Sequence, residues 1–208
     1  MTHLAACAWA GSVIDMPIGN AGKVGYSTQG HVPLEGGGLA INELIYGSKT
    51  LQTFGQLSLI TGRRVGQSGD NLLFAPGGGF VIHGCIEAGG RCEVGNSRSV
   101  GVRGTFLSAK LVNENGKLMF IAQFIERLNP VLAAMLGVPI QSRGTLELLL
   151  SNTASCGFTV KDVEGGSLNI LSEPSSLATL GSSLFGLFLS VGACGILRRG
   201  NTNIGSDR

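Results

Sequence analysis

From residue 38 to residue 171 the chain alternates short apolar runs with clusters of Gly, Asn and Ser. The runs fall at 38–46, 51–59, 71–74, 79–85, 100–111, 118–125, 144–150, 157–162 and 167–171. Period-two alternation is visible in Phe80-Val81-Ile82-His83 and in Thr145-Leu146-Glu147-Leu148, where one face is more polar than the other. Asn113-Glu114-Asn115-Gly116 separates two of the runs, and its Asn-Gly pair suits the positive φ angles of a hairpin turn. Strands at this spacing, with Gly in the turns, predict an antiparallel sandwich or barrel rather than βαβ units. The expectation is a mainly β fold, an antiparallel β-sandwich spanning residues 20–171.

One helix interrupts the strands. Asn129 can cap it, Pro130 suits the first helical position, and Gly137 suits the position after the last turn, ahead of Pro139. A helix near 130–136 is barely two turns long, so it reads as a connector plugging one end of the sandwich. No repeat of 20–50 residues emerges, which argues against a solenoid or propeller.

Composition sharpens this picture. Of 208 residues 34 are Gly, more than twice the usual share of about 7%. Each Gly inside a helix costs about 1 kcal/mol relative to Ala, so a helical bundle is disfavoured. Only 13% of residues are charged, which argues against a charge-driven disordered chain. The absence of a Gly-X-Y period excludes collagen.

The net charge of +2 is localised. Residues 174–208 hold Arg198, Arg199 and Arg208 against Asp207 alone, and the first 173 residues are neutral. A neutral body without a basic stripe is a poor nucleic-acid binder, because phosphate neutralisation supplies most of that affinity. From 174 to 197 there is no acidic or basic residue, apart from the thiol of Cys194. About 20 apolar residues cross a bilayer core of roughly 30 Å as a helix. A buried core helix would rarely lose its polar face completely. The expectation is a transmembrane helix over 177–197, with Arg198-Arg199 holding the C-terminus in the cytoplasm and the body outside. Five Ser and Thr and four Gly weaken the span, which suits a temporary anchor.

Ser172-Glu173-Pro174, an apolar span and a short basic cluster, in that order, resemble the PEP-CTERM sorting signal of Gram-negative envelope proteins. Here Ser172 stands where the family has its first Pro, and eight residues trail Gly200. The body is similar, more loosely, to the Gly-rich ectodomains preceding such signals, notably in NLLFAPGGGFVIHG and at Asn129-Pro130. The resemblance implies transient recognition by exosortase, a membrane transpeptidase-like enzyme. Glu173 and Pro174 would be the motif it reads, with cleavage nearby and release or transfer to the surface. It also implies association with exopolysaccharide or biofilm, although no stretch identifies a glycan site. The domain expectation is therefore a lead at 1–19, an ectodomain at 20–171 and a sorting segment at 172–208, with its basic tail at 198–208.

An exported protein needs a signal, and residues 4–14 form a short apolar stretch with no Lys or Arg ahead of it. Three readings compete: the end of a signal whose true start lies upstream, a lipoprotein box around Cys7, or a native apolar edge strand.

Candidate chemistry is sparse. Cys85 and Cys92 flank a segment containing Gly89-Gly90, where a hairpin tip would allow a disulfide in an oxidising compartment. Cys156 reads as a buried small apolar residue. His83, Cys85 and Cys92 fall short of the four ligands of structural zinc, and no second pair follows. The Gly triplets at 36–38 and 77–79 lack the Lys-Ser/Thr of a phosphate loop. Four scattered Asp make no calcium loop, and no nucleophile elbow is present. The Phe residues lie mostly in apolar runs, where core packing explains them better than sugar stacking.

The sequence thus points to a non-enzymatic surface or extracellular-matrix protein without a cofactor or metal. Two rivals stand beside it: a permanently anchored envelope structural protein, and a secreted hydrolase with a dispersed active site.

Overall fold

A computed structural model describes residues 13–171, except 70, 89–90, 95–99, 115–116 and 152–157. The chain divides into two units, Met1–Glu173 and Pro174–Arg208. The fold belongs to the first, and the second lies outside the described residues.

Twelve strands and one helix follow in the order β1 (Val13–Ile18), β2 (Lys23–Ser27), β3 (Glu35–Tyr46), β4 (Lys49–Thr61), β5 (Arg64–Ser68), β6 (Asn71–Phe74), β7 (Gly78–Ala88), β8 (Arg91–Val94), β9 (Val100–Glu114), β10 (Lys117–Leu128), α1 (Pro130–Leu136), β11 (Gln141–Leu150) and β12 (Phe158–Leu171). Neighbours in sequence are neighbours in space. β3, β4, β7, β9, β10, β11 and β12 pair successively, all antiparallel. β1 and β2 run consecutively in the remaining place, each pairing with both β12 and β3. The ring is complete: Val13 lies opposite Leu171 and Phe158 opposite Ser27. The result is a closed eight-stranded antiparallel barrel, not the expected sandwich.

The alternation that predicted a sandwich is present, but it does not distinguish two facing sheets from one curled sheet. Register makes the difference. Irregularities between Gln123 and Phe124, between Leu149 and Leu150, and twice along the β3–β4 pair increase local twist and coil the sheet. β4 shows the pattern plainly, with Thr53, Gly55, Leu57, Leu59 and Thr61 buried and the residues between them exposed. The runs at 157–162 and 167–171 are one strand, β12, continuous through Gly165-Gly166. β1 takes up Val13–Ile18, so the barrel begins within the expected lead.

The two ends differ. At the hairpin end, β5 and β6 extend the β4–β7 pair, and β6 continues along β9. Glu114 and Lys117 pair in register, so β9 and β10 form the hairpin expected from sequence, while residues 115–116 lie outside the described residues. At the helix end, α1 joins β10 to β11, and Val13 and Leu171 lie side by side. Asn129 Oδ1 accepts from Val131 N at 2.9 Å, and Gly137 has φ 69° and accordingly ends the helix. Leu132, Ala133 and Leu136 are buried in the barrel core, so α1 closes that end as expected.

A chain of aromatic rings packs the middle. Phe80 and Phe124 meet edge to face with centroids 4.7 Å apart, and Phe106 bridges from Phe80 at 5.9 Å to Phe120 at 6.1 Å. Two glycines make this packing possible. A Cβ on Gly104 would stand 2.1 Å from the Phe80 ring, and one on Gly144 would stand 2.4 Å from Phe124.

Candidate functional site

The barrel interior is the first place to look for a site, and it is filled. Its largest fully buried side chains are Phe, Ile and Leu. An interior space at the helix end, lined by Met16, Leu44, Thr53, Ile82, Ile86 and Val102 among others, amounts to about 20 Å³. That is room for roughly one water molecule. Thr53 there already donates to Ile41 O at 2.9 Å. The larger hollows are open grooves on the outer wall, such as the one over Ser58, His83, Arg103 and Thr105. Apolar side chains point inward and Gln, Ser, Lys and Arg outward, the reverse of a membrane-spanning barrel with a polar lumen.

Polar groups do enter the interior at both ends. At the hairpin end, Tyr26, Thr159 and Lys161 face inward and are buried. Burial pushes the Tyr26 phenol up from its ordinary 10.0, and a hydrogen bond with Thr159 opposes that rise. Thr159 and Lys161 both make further polar or electrostatic interactions. Nearby, Thr61 Oγ1 accepts from Leu34 N at 2.9 Å and donates to Gly62 O at 2.8 Å.

At the helix end a carboxyl is buried alone. Glu126 follows Phe120, Ala122 and Phe124 on the inward face of β10, only 1% exposed, with neither carboxylate oxygen hydrogen-bonded. Its strand neighbours are Gly104 and Ser142. Burial pushes its pKa from 4.5 up to about 8, so it holds its proton at neutral pH. Every second residue from Phe120 to Leu128 faces inward, and Glu126 occupies one of those positions. The strand expected at 118–125 stopped one residue short of it.

Glu173, Pro174, Arg198, Arg199 and the 177–197 span lie outside the described residues. No helix among the described residues is long and apolar enough to cross a membrane, which says nothing about that span. Cys85 is disulfide-bonded. β8, which carries Cys92, pairs with β7 beside it, with Cys92 opposite Glu87. Among the described residues, no group of three His, Cys, Asp or Glu side chains is placed to hold a metal. Ser142 stands directly opposite Glu126 on β11, and neither carboxylate oxygen of Glu126 is hydrogen-bonded.

Comparison with protein-family models, with curated proteins and with solved structures finds no match to this chain.

Proposed function

We propose that this is a non-enzymatic surface or extracellular-matrix protein of a Gram-negative envelope, a barrel delivered by its C-terminal segment. The observation that carries the reading is the order Ser172-Glu173-Pro174, an uncharged stretch over 174–197, and Arg198-Arg199. This address begins immediately after the last barrel strand ends at Leu171. In this reading, exosortase recognises Glu173 and Pro174 transiently. The apolar stretch holds the chain in the inner membrane during transit, and the paired arginines keep the C-terminus cytoplasmic.

One feature supports delivery outside the cytoplasm. Cys85 is oxidised to a disulfide, which persists in oxidising compartments. Cys92, on the strand paired with β7, is the partner we assign to it. Exopolysaccharide is the matrix partner that the family resemblance suggests.

The test is mass spectrometry of the C-terminus in cell-associated and released material. Sorting predicts a new terminus near Glu173-Pro174, lost in a Glu173→Ala, Pro174→Ala variant. Mature surface protein still ending at Arg208 would leave permanent anchoring as the correct reading.

A further inference from the structure

Three arginines form a strip on the outer wall near the helix end. Arg127 on β10 lies directly opposite Arg103 on β9, and on its other side opposite Gln141 of β11. Arg143, two residues further along β11, is its diagonal neighbour. On the far side of Arg103, His83 is diagonal through the Val81 pairing. All three arginines are exposed, and none has an ion pair or hydrogen bond among the described residues. The carboxylates on the flanking strands are Glu87 and Glu147, each four residues along from His83 or Arg143, about 13 Å away. Like charges placed directly opposite on a sheet destabilise it. Three adjacent strands thus hold a cationic strip at a cost to the fold, with no partner among the described residues.

The same end exposes apolar side chains. Val131 and Met135 share one face of α1, with Ile140 just beyond, and they are 60%, 38% and 44% exposed. Leu171, also exposed, pairs with Arg143 in register. β12 ends at Leu171, and three residues later in the sequence the uncharged stretch begins at Pro174. Three residues span at most about 10 Å.

We infer that the helix end of the barrel is a membrane-contact surface, in which Arg103, Arg127 and Arg143 meet anionic phospholipid headgroups while Val131, Met135 and Ile140 enter the interface. The inference rests on the anchor reading above and on Leu171, the last residue of β12, standing at this end of the barrel. Apolar side chains beside cationic ones are the pattern of interfacial binding. An acidic polysaccharide would engage the arginines but would leave the exposed apolar trio without a role.

The experiment uses the full chain with Trp9→Phe, leaving a single introduced tryptophan, reconstituted in vesicles of phosphatidylcholine and phosphatidylglycerol containing brominated acyl chains. Val131→Trp should be quenched at least twofold, and Val160→Trp, at the opposite end, should not. Replacing Arg103, Arg127 and Arg143 with Gln should remove most of the quenching at position 131, with an unchanged far-UV spectrum and unchanged vesicle flotation. A chain that floats with the vesicles but has an unquenched Trp at 131 overturns the contact and leaves the anchor intact. Equal quenching at both ends overturns it too. Failure to float overturns the anchor and the contact together. Arginine-dependent binding of alginate with no quenching at position 131 assigns the strip to a glycan and also overturns the inference.

Discussion

At the end closed by α1, Glu126 is buried with no partner for either oxygen. At the opposite end Tyr26, Thr159 and Lys161 are equally buried but engaged with one another or with other groups. A polar group leaves water at a cost that only a hydrogen bond, an ion pair or loss of charge can offset. The hairpin end uses partners. The helix end uses a proton: Glu126 stays neutral because ionisation inside an apolar cluster is unfavourable. Consequently one end should respond to pH and the other to loss of individual contacts.

The largest expected effect tests whether the ends share one core. Phe124→Ala removes a fully buried ring from the middle of the barrel and should cost about 3–5 kcal/mol. Both ends should lose structure in a single denaturant transition. Two separated transitions, followed by fluorescence and by hydrogen exchange, would show two cores instead.

Next comes the pH response of Glu126. Its folded pKa is about 8 and its ordinary value 4.5. Between these values the folded chain holds a proton that the unfolded chain releases. Stability should therefore be fully present below about pH 4.5, fall through the window and level off above about pH 8. Glu126→Gln, neutral at every pH, should flatten this slope and stabilise the protein by roughly 2–4 kcal/mol near pH 8. A denaturant midpoint that still falls between pH 5 and 8 in the variant would place the titrating group elsewhere.

Smaller effects should distinguish the ends further. Tyr26→Phe deletes the hydroxyl that bonds Thr159 and should cost about 1 kcal/mol, with little change between pH 5 and 8. A pH-dependent loss would mean the hairpin end also contains a titrating network. Asn129→Ala removes the cap of α1 and should cost about 1 kcal/mol. Its signature is faster exchange of the Val131 amide, with strands at the hairpin end unaffected.

Legibility from sequence followed a physical divide. Strand positions and α1 rest on local chemistry: alternation, turn residues, a cap and a helix-ending Gly. The strands at 13–18, 23–27, 64–68 and 91–94 carry no clear sequence signal because they are short or contain Gly, Pro and charge, so tertiary pairing rather than propensity makes them strands. Glu126 is not legible from sequence because its Glu-Arg neighbourhood looks like a solvated strand end; only the inward phase of β10 buries it. The arginine strip could not be seen either, since Arg103, Arg127 and Arg143 are far apart in the chain and meet only through register.

By itself the sequence determined that the body is mainly β with one capped helix, and that an uncharged stretch with a basic end follows it. Those features depend on side-chain chemistry within a few residues of one another. Tertiary structure alone decided that the sheet closes into a barrel, that a carboxyl is trapped at one end, and that three arginines line up outside. Closure and register are properties of pairings between distant strands, and period-two alternation is the same whether a sheet faces another or curls to meet itself.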